Sequence, residues 1–145
     1  MAARRLYTGI MDRTDATGDD CAIRKVIESW YRAMETGDVT GLISLVTRDV
    51  IVKPPGSTPI EGEEALKQAL SAFLQTHTEA GDYEIEEVGI SGRLAFARIS
   101  ERATIQTKSG AETVGVCGMH LSILRREPDG QWLIARNVSS RVTAA

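Results

Sequence analysis

The sequence predicts an α+β domain in which a curved mixed or antiparallel sheet and about three helices enclose an apolar pocket. Three observations carry this. Apolar residues recur at spacings of three and four in the N-terminal half. After Gly81 the period changes to two and stays there. The last three strands implied by that alternation run 10 to 14 residues, beyond the usual five or six. Long strands bend, and a bent antiparallel sheet with helices on its concave side leaves a cone-shaped cavity.

The elements follow in order. Ile23, Val26, Ile27, Trp30 and Met34 form one stripe, with Arg24, Lys25, Glu28 and Arg32 off it, so the segment is an amphipathic helix. Asp19 or Asp20 is placed to cap its start and Gly37 to stop it. A short helix with Leu42, Ile43, Leu45 and Val46 apolar is expected after Asp38. Asp49 to Lys53 reads as a strand, ended by Pro54 and Pro55 because proline cannot donate to a ladder. Residues 56–61 read as a loop. A helix follows from Glu63, with Leu66, Ala69, Leu70, Phe73 and Leu74 on one face and His77 at its end, exposed to solvent. Glu63 and Glu64 suit its first turn, where the macrodipole favours them.

Strands are expected at about 82–90, 94–107, 113–126 and 131–141, separated by Ser91-Gly92, Lys108-Ser109-Gly110 and Pro128-Asp129-Gly130. Such short turns imply antiparallel neighbours. Gly115 and Gly118, inside a strand, mark bend or bulge positions. Residues 1–18 read as a flexible polar tail, and 19–145 as a single domain.

Composition narrows the function. The 145 residues carry 17 Lys and Arg against 20 Asp and Glu, a net charge of -3. Binding to a phosphate backbone is driven by clustered cations, so no nucleic-acid partner is expected. No apolar run approaches the roughly 20 residues that span a bilayer. The segment after Arg4-Arg5 contains Asp12, Arg13 and Asp15, so it has no apolar signal region. A cytoplasmic protein without a membrane partner is the expectation. Cys21 and Cys117 show no metal or redox spacing. A disulfide between them stays open, with reduced thiols the simpler reading. Two histidines far apart and no glycine-rich phosphate loop imply neither metal nor cofactor.

Several pieces of the chain resemble the NTF2-like superfamily, the cone-shaped α+β fold of ketosteroid isomerases and SnoaL-type polyketide cyclases. They are Trp30-Tyr31, Thr36-Gly37-Asp38, Val50-Ile51-Val52, the stretch Pro55 to Gly62, the run Arg125 to Trp132 and Asn137 to Ser140. The resemblance covers about residues 20–142, and the order and spacing of the pieces make it specific. Within the superfamily the chain is similar to the small SgcJ/EcaC-type (DUF4440-like) proteins of enediyne and related polyketide antibiotic gene clusters. That likeness implies a role in polyketide biosynthesis. It also implies a homodimer through the sheet, whose outward face would carry Met119, Leu121 and Ile123.

The isomerase mechanism does not carry over with the resemblance. It needs a carboxylate base, plus a tyrosine and a protonated acid that stabilise the enolate oxygen. The aligned positions hold Trp30 for the tyrosine, Lys53 or Pro54 for the base and Ser122 for the acid.

Other polar groups are expected at the pocket instead. Ala95, Ala97, Ile99, Glu101 and Ala103 alternate as one face, and burial there would raise the Glu101 pKa, as a general acid or base requires. The family register puts His120 and Ser122 on the pocket side, where His120 could pair with Glu101. The same residues also read as a solvated or arginine-paired carboxylate and a structural histidine. On the final strand Ala135, Asn137 and Ser139 should face inward, Asn137 either to a ligand oxygen or to a neighbouring backbone group. Trp30, Tyr31 and Phe73 should line the helical wall, as core or as binding surface. Glu101 and His120 are thus the candidate catalytic pair. Trp30, Tyr31, Phe73, Ala97, Ile99, Ser122, Ala135, Asn137 and Ser139 are the candidate ligand wall.

Two readings of function result. One is a pocket protein that binds a hydrophobic polyketide or polyene intermediate and processes it without a cofactor, by cyclisation, isomerisation or dehydration. The other is a non-catalytic binding or assembly partner of a polyketide synthase.

Overall fold

The computed structural model describes residues 16–144. Residues 1–15 of the expected tail lie outside the described residues. Helix α1 spans Ala16–Thr36, α2 Val39–Ile43 and α3 Glu63–Thr76. The strands are β1 Val46–Lys53, β2 Ile60–Glu61, β3 His77–Ser91, β4 Leu94–Thr107, β5 Thr113–Arg126 and β6 Trp132–Thr143. They form one sheet in the order β2-β1-β6-β5-β4-β3. All neighbours are antiparallel except β1 and β6, so the sheet is mixed. The α+β class and the pocket-forming arrangement of three helices on a curved open sheet hold among the described residues.

The core lies between the helices and the concave sheet face. The predicted stripe of α1 buries Ile23 and Ile27 at 0% and 2% exposure. They pack with Val50, Leu66, Ala97, Ile99, Leu124 and Trp132. Full burial of such a side chain stabilises by roughly 2 kcal/mol. A smaller cluster of Ala33, Met34, Leu42 and Leu74 joins α1 to α2 and α3.

Differences from the sequence expectation are local. Helix α1 reaches back to Ala16, so residues 16–18, assigned to the tail, are helical. Asp19 does not cap; its carboxylate accepts the Trp132 indole N–H at 3.0 Å. Strand β1 starts three residues early because Val46 pairs with Ile134 of β6. The expected loop contains β2, which pairs with Ile51 and Val52. The strand expected from about 82 starts at His77 and runs through Gly81. A Cβ there would strike the Arg102 carbonyl oxygen, so glycine lets the two backbones approach and continue pairing. His77 is accordingly a half-buried strand residue, stacked on Phe73 with centroids 4.9 Å apart.

Candidate functional site

Register places the polar residues of β4, β5 and β6 in three successive rungs on the concave face. Ala97 pairs with Ser122 and Ser122 with Asn137; Ile99 pairs with His120 and His120 with Ser139; Glu101 pairs with Gly118 and Gly118 with Arg141. A register shift in β6 contributes to this. Leu124 pairs with Ile134 and Ile123 with Arg136, which leaves Ala135 as a bulged residue. The bulge switches the inward phase from Trp132 and Ile134 to Asn137, Ser139 and Arg141.

Above these rungs lies a cavity of about 390 Å³, toward the lower end of the usual range for ligand sites. Trp30 and Met34 of α1, Leu70 and Phe73 of α3, and Val52 and Ile60 of β1 and β2 supply apolar wall. Its polar side chains include His120, Ser122, Asn137, Ser139, Glu79 and Arg141. Of the candidate wall, Trp30, Tyr31, Phe73, Ile99, Ser122, Asn137 and Ser139 reach the cavity. Ala97 and Ala135 do not: Ala97 is wholly covered by the core and Ala135 sits in the bulge.

Three side chains converge on Glu101, which is 6% exposed. Its Oε1 accepts from Arg141 Nε at 2.7 Å and lies 2.9 Å from His120 Nε2. Its Oε2 accepts from Tyr31 Oη at 3.1 Å. Arg141 Nη1 also donates to Glu79 Oε1 at 2.6 Å. The His120 ring N–H is not aimed along its line to Glu101, so Nε2 lacks a well-directed bond. Because Nε2 faces the carboxylate, Nδ1 is the ring nitrogen left for a ligand. A second hydrogen-bonded series runs beside it: Ser139 Oγ donates to Asn137 Oδ1 at 3.2 Å, and Asn137 Nδ2 to Ser122 Oγ at 2.8 Å.

Electrostatics corrects one expectation. Burial pushes the Glu101 carboxyl up, but the close approach of His120 and the hydrogen bond from Arg141 outweigh it and hold the pKa at about 2. The Glu101 carboxyl is thus held in its charged form, the opposite of the raised value expected from burial alone. Burial, then the Glu101 charge, pushes the Tyr31 hydroxyl well above its ordinary value. Burial pulls Arg141 down, and its bonds to Glu79 and Glu101 more than reverse this. Asp49 pairs with Arg125 at 2.8 Å, a hydrogen bond that holds its pKa far below the carboxylate range. The groups aligned with the isomerase roles also do other work: Lys53 Nζ donates to the Pro54 carbonyl, and Ser122 accepts from Asn137.

Glu79 and Arg141 were missed by sequence reasoning. The β3 expectation began at 82, past Glu79. Arg141 closed the expected last strand, and its phase with Asn137 and Ser139 was the available signal. Among the described residues, no group of three or more His, Cys, Asp or Glu could hold a metal ion. Likewise, no described helix is long and apolar enough to cross a membrane.

The sequence profile of the SnoaL-like domain matches residues 27–134. The chain belongs to the SnoaL-like family. No curated protein matches this SnoaL-like chain in sequence. Among solved structures it is similar to a conserved protein from Planctomyces limnophilus DSM 3776, at 30% identity and a TM-score of 0.82, covering 88% of this chain and 99% of that one. A ketosteroid isomerase-like protein from Erwinia carotovora atroseptica shares the fold at 22% identity and a TM-score of 0.80, covering 92% and 100%. An NTF2-like family protein from Streptomyces avermitilis does so at 23% and 0.76, covering 88% and 99%. The SnoaL-like domain thus has the NTF2-like fold, with its cavity between the helices and the sheet.

Proposed function

We propose that this SnoaL-like protein binds a hydrophobic polyketide-type molecule and performs cofactor-independent acid/base chemistry on it. His120 takes the proton, and Glu101 is the positioning residue that orients its ring. The observation that carries this is the 2.9 Å approach of His120, which lines the apolar cavity, to a buried and charged Glu101. Glu79, Glu101 and Arg141 together carry one excess negative charge, so a proton on His120 completes a balanced cluster. The cavity volume favours a compact cyclic molecule over an extended polyene. A cytoplasmic place in enediyne or polyketide biosynthesis, beside the SgcJ/EcaC-type proteins, is part of this proposal and rests on the sequence resemblance.

Proton abstraction next to a ketone breaks a C–H bond, moves the proton to His120 Nδ1 and leaves the electron pair on the carbonyl oxygen. The test uses 2-tetralone in deuterium oxide. Wild-type protein should exchange its α-protons above the buffer rate, and His120→Gln should fall to that rate. Exchange at the buffer rate by wild type would overturn the proposal. Under the second reading, a non-catalytic binding or assembly partner of a polyketide synthase, Glu101→Gln leaves ligand binding nearly intact and there is no turnover to lose. The specific observation favouring it is that Glu101 is fully engaged by its three partners.

A homodimer through the outer sheet face belongs to the same proposal. Leu121 and Val138, register partners on β5 and β6, are 46% and 56% exposed, and Met119 beside them is 46% exposed.

A further inference from the structure

Arg141 and Glu101 lie on strands that are not neighbours, since β5 runs between β6 and β4. The residue between them on the shared rung is Gly118. A Cβ there would lie 2.7 Å from Arg141 Cγ and would also strike the Ser140 carbonyl oxygen. The Arg141 side chain thus crosses β5 over the one position on that rung with no side chain, and its Nε meets Glu101 Oε1.

We propose that Arg141 is a positioning residue for His120: crossing the gap at Gly118, it fixes Glu101 in the orientation that holds the His120 ring with Nδ1 free for the ligand. This rests on the proton-transfer reading given above. Both Arg141 Nε and His120 Nε2 address the same oxygen, Glu101 Oε1, while Tyr31 holds Oε2. In this setting the carboxylate accepts from Arg141 and Tyr31 and lies 2.9 Å from His120 Nε2. Glu79 anchors the far side of the guanidinium, so Arg141 cannot follow Glu101 if that group turns. A fork with donors on two edges suits this bridging, which a lysine ammonium performs without fixing an angle.

The charged and titratable groups facing Glu101 are Tyr31 from α1, Glu79 and Tyr83 from β3, His120 from β5 and Arg141 from β6. Glu28, Arg32, Glu35, Asp82 and Arg102 share the small adjoining cavity that Glu101 also lines. Arg141, whose guanidinium stays charged across the ordinary pH range, is the cation with a direct hydrogen bond to Glu101.

The experiment reads two signals from the protein without ligand: carboxyl ¹³C titration of Glu101 and ¹⁵N shifts of His120. Wild type should titrate at Glu101 near 2 and show the Nε2-protonated tautomer of neutral His120. R141M should raise the Glu101 midpoint by about one pH unit or more and mix the tautomers. R141K should recover the midpoint and leave the tautomers mixed, and G118A should act in the direction of R141M. An R141M midpoint and tautomer equal to wild type overturn the proposal, as does a shifted midpoint with an unchanged tautomer. If R141M does not fold, R141Q carries the same test. Neither signal uses 2-tetralone, so failure here is separate from failure of the exchange assay.

Discussion

Tyr31 stacks on Tyr83 with ring centroids 4.1 Å apart and planes 7° from parallel, and the same Tyr31 donates its hydroxyl to Glu101. One side chain therefore joins a helix, an aromatic pair and the buried anion. Y31F keeps the stack and removes only the hydrogen bond. It should destabilise the protein by about 1 to 2 kcal/mol, since the acceptor is charged. Urea unfolding checks this; an unchanged midpoint would mean that water replaces the hydroxyl without loss.

Glu101 makes stability depend on acid. Its folded pKa of about 2 lies below its ordinary 4.5, a depressed carboxylate. Its contribution is thus present above about pH 5 and lost as pH falls toward 2, on the order of 3 kcal/mol in all. E101Q should flatten that part of the stability profile relative to wild type. Parallel profiles for the two proteins between pH 6 and 2 would refute the assignment.

Packing makes contrasting demands at two apolar positions. Leu124 is wholly buried and Val142 is 69% exposed. L124A should cost about 3 kcal/mol, the loss of transfer energy plus a residual cavity. V142A should change stability by less than about 0.5 kcal/mol. Thermal unfolding of both variants gives the comparison.

The N-terminal turns of α1 are tied to the far end of the chain through the Asp19–Trp132 bond at 3.0 Å. W132F keeps most of the buried ring and loses the indole N–H. Amides near Asp19 should then exchange faster with deuterium, with a stability loss of about 1 kcal/mol. Unchanged protection in that turn would show that Ile23 and Ile27 alone hold the helix down.

For the proposed dimer, light scattering after size exclusion should give twice 15.8 kDa for wild type. L121E should give a monomer, because a charge directly within a sheet interface is costly to bury. A wild-type particle of 15.8 kDa removes the dimer from the proposal.

What was legible in the chain was periodic and local. The spacing of Ile23, Ile27 and Trp30 determined a helix and its buried face, and the alternation from Gly92 onward determined the bounds of β4 and β5. Backbone geometry ties those patterns to the next few residues, so they need no tertiary partner to be read. The same alternation put Glu101 on an otherwise apolar face.

Tertiary structure alone decided the rest. Whether Ala135 faced the pocket depended on a bulge that exists only through pairing with β5, and β2 exists only against β1. The charge state of Glu101 depended on Arg141, 40 residues away and reaching across Gly118. Burial by itself favours a neutral acid, and only the register that brings His120 and Arg141 to the same oxygen turns that preference around.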